Sequence, residues 1–236
     1  MSESEEQIEI KAKVEDKLWP FVLSKTTPLR ESEEVLSNYP SSAEKWLSCL
    51  LRCYFDRTDK VDEDFSALTL TFAHGNAIHS MLIDMFKKAG IWRGDEVRGS
   101  NKEFNVSYRI DALIEDPASN LRPPNIVPVE IKSVNARSWA ISKTAPFPSH
   151  YLQLQLYMHF HKPAPYPYGY LLYFNKNTDE VRTYKVNYDR DICVRMENAL
   201  KELEWRVSAL EQPEPPESTE PCRWCQYKFR CFEGGD

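Results

Sequence analysis

Glycine is scarce in this chain, with 7 residues in 236 against 16 prolines. Few flexible linkers and many firm chain breaks are therefore expected. No run approaches the roughly 18 consecutive apolar residues of a membrane span, which excludes a membrane partner by that route. Positive charge is in deficit, with 30 Lys and Arg against 36 Asp and Glu and a net charge of -6. That balance argues against a general nucleic-acid coat protein, although acids gathered at one place leave room for a local basic groove. The opening Met1-Ser-Glu-Ser-Glu-Glu has neither the basic start and apolar stretch of a secretory leader nor the arginines of a transit peptide. A cytoplasmic protein is expected, in which the six cysteines are not disulfides. What is present, 42% hydrophobic residues of which many are aromatic, suffices for one core with small appendages.

The stretch from Tyr108 to Asn135 carries the strongest pattern. Tyr108-Arg-Ile-Asp-Ala-Leu-Ile114 and Val127-Pro-Val-Glu-Ile-Lys-Ser-Val134 alternate apolar and polar residues around a turn-forming segment, the signature of a strand pair. Glu130 and Lys132 are two apart, so both side chains leave the same face, while Val129, Ile131 and Val134 serve the core. A carboxylate from each strand, Asp111 and Glu130, can hold Mg²⁺ or Mn²⁺, and the backbone carbonyl of Ile131 can add a third oxygen. Lys132 can then act on an attacking water or a developing charge. The plainer alternative is a cross-strand ion pair on a solvated sheet face.

Residues 1–38 hold sparse apolar positions at amphipathic-helix spacing, with no visible chemistry. Pro40-Ser41-Ser42 predicts a capped helix carrying Cys49, Arg52 and Cys53. An acidic connector over 59–66 leads to a second helix from Thr69 that ends near Gly90. His79 lies inside that helix, where side-chain direction is fixed; His74 is nearer its start. Glu96–Phe104 reads as an edge strand, from which Glu96 could reach the same site. Ala136–Ser149 reads as a loop whose Trp139, Lys143 and Phe147 could clamp a single strand. On a helix over His150–His161, Gln153 and Tyr157 stand at i and i+4, with Gln155 pointing elsewhere. A hairpin follows, Tyr168–Phe174 with Val181–Val186. A long helix over Asp189–Leu210 has Ile192, Val194, Met196, Leu200, Leu203 and Val207 inward. A stiff acidic linker over 212–221 delivers Cys222-x₂-Cys225-x₅-Cys231. Three cysteines leave a four-coordinate site one ligand short, and Cys49 or Cys53 can supply it. Zinc and an iron-sulfur cluster both satisfy such a set.

Taken in order, these pieces resemble the RecB-like branch of the PD-(D/E)XK nucleases, and within it the iron-sulfur nucleases of the CRISPR-associated Cas-four type. Cys49-x-x-Arg52, Gly75-x-x-Ile78-His79, Arg109-Ile110-Asp111, Glu130-x-Lys132, Gln153-x-x-x-Tyr157 and the C-terminal cysteines look like that family's successive motifs. Arg109 stands where the family often has Gly or Pro, and Leu50 where a Pro is usual. The resemblance covers about residues 41–231. It implies an α/β, restriction-endonuclease-like core with a central mixed sheet flanked by helices. The implied division is an N-terminal helical region over 1–66, a nuclease core over 67–211, and a linker with a cluster segment over 212–236. It implies a DNA exonuclease on single strands, with His79, Asp111 and Glu130 on Mg²⁺ or Mn²⁺, Lys132 as the catalytic cation, and Gln153 and Tyr157 in support. It also implies a [4Fe-4S] cluster on Cys49, Cys222, Cys225 and Cys231, with zinc as the alternative. Partner nuclease, integrase or helicase proteins, and a role in CRISPR adaptation or DNA repair, belong to the same expectation. The rival readings are a non-catalytic nucleic-acid-binding module and a zinc-stabilised assembly module.

Overall fold

A computed structural model describes residues 37–59, 69–119, 125–162, 166–223 and 225–232. The helix expected within residues 1–38 and the acidic connector fall almost wholly outside these residues. A 3-10 turn, Pro40–Ser42, precedes α1 (Ala43–Ser48) and α2 (Leu50–Thr58); then come α3 (Thr69–Lys88), β1 (Trp92–Asn101), β2 (Val106–Glu115) and β3 (Ile126–Val134). After these come α4 (Ala136–Ile141), α5 (Pro148–Phe160), β4 (Tyr168–Asn175), β5 (Val181–Asn187), α6 (Arg190–Ala209) and α7 (Lys228–Phe232). The strands form one mixed sheet in chain order, β1-β2-β3-β4-β5. Only β3 and β4 run parallel, which is why α4 and α5 lie between them as a crossover.

Both faces of the sheet are covered. On one, Ile78, Leu82 and Ile83 of α3 pack on Ala112, Val129 and Ile131. On the other, α1, α2, α5 and α6 join Val106, Tyr108 and Ile110 in the larger cluster. Strand β2 changes allegiance at Asp111, and at that same point it parts from β3, since the two pair only from Ala112↔Val129 to Glu115↔Ile126. α5 lies deep in the larger cluster, and Leu152, Leu154, Leu156, Met158 and Phe160 are all buried. Gln153 and Gln155 are buried with them, and each needs a partner. Gln155 finds two, donating to the Asn187 carbonyl at 2.8 Å and accepting from the Asp189 amide at 2.9 Å, which ties β5 to the start of α6.

The structure corrects three local expectations. The helix from Pro40 is two helices, because Cys49 is extended (φ -159°, ψ 90°), and the Ser42 side chain makes no cap bond. The segment after β3 is not all loop: Asn135 accepts from Ser138 N at 2.9 Å and starts α4. Val194 faces solvent, and Cys193 takes the buried position beside it. Gln155 points away from Gln153, as read, and is fully buried and bonded. The stop of α3 is as read: Gly90 is left-handed (φ 75°), and Ile91 N–H returns to the Phe86 carbonyl at 3.2 Å.

Candidate active site

The parting of β2 and β3 makes the site. Beyond Ala112 the ladder stops, and the Ile131 amide loses its strand partner. Asp111 supplies a substitute: its Oδ2 accepts from Ile131 N–H at 2.8 Å. One layer away, α3 brings His79 Nδ1 to 3.7 Å from Asp111 Oδ1. From the opposite layer α5 brings Gln153, whose Nε2 donates to Tyr157 Oη at 2.7 Å. The fork is therefore where both helical layers reach the same pair of acids.

Glu130 and Lys132 leave β3 on the α5 side and form an ion pair with each other. This is no solvated face, because Glu130 is 1% exposed. Its Oε2 is buried with no hydrogen-bond partner among the described residues. A buried carboxylate oxygen without a donor is unfavourable and calls for a cation or a proton. Burial, opposed by Lys132 and aided by Asp111, pushes the Glu130 carboxyl up to about 7. Burial likewise raises Asp111, against the pull of Lys132, the Ile131 amide and Arg109. Burial alone would lower the Lys132 ammonium, but the two carboxylates outweigh it and hold it above its ordinary value. His79 is lowered, first by burial, with Lys132 and Arg109 adding to the effect. Tyr157 sits well above its usual range, through burial and the nearby acids.

Asp111 is engaged by the Ile131 amide and lies beside His79, and Glu130 is engaged by Lys132 through one oxygen. Among the described residues no group of three or more His, Cys, Asp or Glu side chains is set as a metal site. The donor chemistry nevertheless fits a hard divalent cation: two buried carboxylates, one with a free oxygen, at a place where a backbone ladder has opened. Glu96 does not join this group. It is exposed, left-handed (φ 47°), and 3.4 Å from Arg109.

Two residues beside Lys132 escaped the sequence reading. Tyr173 of β4 stands in register with Lys132. Its hydroxyl accepts from Phe147 N–H at 3.0 Å and lies 2.8 Å from His150 Nδ1. Burial, with Lys132 nearby, pushes His150 down to about 4. The spacing His150, Gln153, Tyr157 is i, i+3, i+7 on one helix face, a signal that could have found the histidine. Tyr173 lay hidden in an apolar strand run. Trp139 and Phe147 each already have a partner within the protein. Arg182 lies 3.8 Å over the Trp139 ring, and Phe147 packs edge-on against His150.

Cys49, Cys222, Cys225 and Cys231 lie within electrostatic reach of one another, although among the described residues they are not set as a metal site. Burial raises the Cys49 thiol, and Cys222 and Cys225 raise it further, while Arg52 opposes them. Cys231 feels Cys225, Cys49 and Cys222. Cys53 is driven to about 12 by burial and Asp56, the profile of a core thiol. Arg52 Nε is buried without a hydrogen-bond partner among the described residues, which suits an anionic group at the thiols. Tyr227 fastens this end in place, with its hydroxyl 3.0 Å from Asp56 Oδ1 and its ring 5.2 Å from that of Phe55.

No family model and no curated protein matches the chain. Solved structures do. One titled crystal structure of SSO0001 is 18% identical, with a TM-score of 0.55 over 92% of this chain and 97% of that one. An alkaline exonuclease, LHK-Exo, from Laribacter hongkongensis is 13% identical, with a TM-score of 0.51 over 76% of this chain and 94% of that one. The same exonuclease in complex with dAMP gives a TM-score of 0.53 at 13% identity, over 76% of this chain and 93% of that one. At these identities the likeness shows the fold, a restriction-endonuclease-like mixed sheet flanked by helices. No helix among the described residues is long and apolar enough to cross a membrane.

Proposed function

We propose that this chain is a metal-dependent DNA nuclease of the RecB-like PD-(D/E)XK type, acting as an exonuclease on single strands. The observation that carries the reading is Glu130, a buried carboxylate with an oxygen unpartnered among the described residues, set beside Asp111 at the fork of two strands and paired with Lys132. The fold it shares with an exonuclease supports it. Asp111, Glu130 and the Ile131 carbonyl would hold Mg²⁺ or Mn²⁺, with His79 as a nitrogen donor that favours Mn²⁺. Such an ion would lower the pKa of a water and polarise the scissile phosphate.

The protein's own part follows from the geometry. Once Glu130 turns from Lys132, the ammonium is free to hold the attacking water or the equatorial phosphate oxygens. Tyr157 and Gln153 brace the acids from α5. Burial, with Lys132 and Arg109 and against Glu130, disfavours the charged form of His79, which favours the neutral imidazole that a metal needs. Cys49, Cys222, Cys225 and Cys231 would hold a [4Fe-4S] cluster, or zinc, that pins residues 222–231 to α2. The cluster is structural in this reading, and a partner nuclease, integrase or helicase would direct the enzyme.

The test is degradation of an end-labelled single-stranded oligonucleotide by purified protein. Cleavage with Mg²⁺ or Mn²⁺, none with EDTA, and loss of at least about a hundredfold in Lys132→Met and Asp111→Asn are expected. Wild-type protein that binds the strand but never cleaves it, or variants that cut at the wild-type rate, would refute the assignment. Iron and sulfide analysis of anaerobic protein decides the second metal. Cys49→Ser is expected to lose the metal and Cys53→Ser to keep it.

A further inference from the structure

Two cross-strand rows lead from the candidate active site to the edge of the sheet, on the face that α5 covers. Lys132 pairs with Tyr173 and Tyr173 with Arg182; Glu130 pairs with Leu171 and Leu171 with Tyr184. Two strand spacings of ~4.8 Å put Tyr184 about 10 Å from the catalytic acid. Arg182 is already engaged by α4, with hydrogen bonds to the Trp139 carbonyl at 2.9 Å and to Ser142 Oγ at 3.2 Å. Tyr184 packs edge-on against Tyr173 at 5.7 Å and donates to the Ser142 carbonyl.

Beyond Tyr184 the sheet emerges from under α5, and a cleft of about 510 Å³ opens. Its size falls within the roughly 300–1,000 Å³ of small-ligand sites. Tyr184, Tyr188 and Tyr151 wall it, from β5, from the turn after it and from the first turn of α5. Its charges cancel. Lys185 and Arg190 are matched by Asp189 and Asp191, and Asp189 is already occupied as the cap of α6, accepting from Ile192 N–H at 3.1 Å. A phosphate track would carry excess positive charge. Of its rings, Tyr188 is stacked on His159 and Tyr184 packs on Tyr173, which leaves Tyr151 to meet a base by stacking, without regard to sequence.

We propose that the cleft is a base-holding subsite. It stacks a nucleobase of the single DNA strand, on the ring of Tyr151, while a phosphate of that strand lies at Glu130 and Lys132. The proposal rests on the nuclease reading above. The strand passes the N-terminal end of α5, where Phe147, His150 and Tyr173 form the wall between the two places. A substrate long enough to reach both is held better than a dinucleotide, which reaches only one.

The test compares steady-state cleavage of a single-stranded octanucleotide and a dinucleotide by wild type, Tyr151→Ala, Tyr151→Phe and Tyr151→Leu, with Mn²⁺. Loss of the stacked ring is expected to raise KM for the octanucleotide at least about fivefold in Tyr151→Ala, with kcat little changed. The penalty is expected to vanish on the dinucleotide. Tyr151→Phe keeps the ring and is expected to match wild type. Tyr151→Leu keeps apolar volume without the ring, and is expected to show the defect even where the alanine variant folds poorly. The dependence of KM on salt is expected to stay parallel to wild type, because no phosphate contact is lost. An unchanged KM in Tyr151→Leu, a phenylalanine variant as defective as leucine, or a penalty equal on both lengths overturns the proposal. If wild type cleaves nothing, the nuclease reading has failed and the cleft is judged alone, from the affinity of a fluorescent octanucleotide in EDTA. Weaker binding by Tyr151→Leu then supports a base site, and equal binding rejects it.

Discussion

His150 makes acid sensitivity measurable at a single position. The imidazole is largely buried, T-stacked on Tyr173 at 5.5 Å and hydrogen-bonded to its hydroxyl. Burial first, and Lys132 second, push its pKa from 6.5 to about 4. A histidine depressed in the folded state adds stability that is fully present above its unfolded pKa and is lost as pH falls toward the folded one. At about 1.4 kcal/mol per pH unit, the loss between pH 7 and pH 5 is about 2 kcal/mol. Other groups titrate in the same window, so the test is a difference of differences. Urea unfolding of wild type and His150→Gln at both pH values is expected to show a loss smaller by about 2 kcal/mol in the variant. In a chain of this size that corresponds to roughly 4–8 °C in Tm. Lys132→Met, by removing the neighbouring cation, is expected to shrink the wild-type loss without abolishing it. An identical pH dependence in wild type and His150→Gln would refute the burial argument.

Three further expectations rest on packing and backbone. The Tyr108 ring lies over Gly99 in the facing strand, where any Cβ would overlap it, so Gly99→Ala should cost about 1–3 kcal/mol by thermal unfolding and loosen the Tyr108 bond to the Phe160 carbonyl. Gln155→Leu strands two backbone partners and should cost about 2–4 kcal/mol, with early hydrogen exchange at Asp189. Leu210 closes α6 in the left-handed region at φ 54° with its side chain exposed, so Leu210→Gly should gain about 0.5–1 kcal/mol by urea titration.

The strands were legible because period-two alternation survives wherever one face is buried and the other is half-open, as on β2. On β3 both faces are covered, yet the run still read as a strand because Glu130 and Lys132 interrupt its apolar residues at that same period. The helical periodicity of α3 and the stop at Gly90 were equally plain. The break at Cys49 was not, because Leu, Cys and Arg are all acceptable helix residues and tertiary contacts set the extended backbone there. α4 was missed because its start depends on one asparagine cap and its length is barely two turns. The partners of Gln155 were hidden for a different reason. A glutamine's worth depends on which carbonyl lies beside it, and that carbonyl belongs to Asn187, 32 residues away. The same holds for Tyr173, which acquires its place beside Lys132 only through the parallel register of β3 and β4.

The fork between β2 and β3 has a consequence for how such a chain would drift if its chemistry were no longer needed. Asp111 would persist, or become Asn, because its side chain does a backbone's work for Ile131 whether or not anything is cut. Glu130 and Lys132 would go first. A buried acid with an empty oxygen weakens the fold, and an apolar pair of similar size would strengthen it. Among descendants of this fold, an aspartate at the fork therefore records ancestry, whereas the Glu-x-Lys pair records present use.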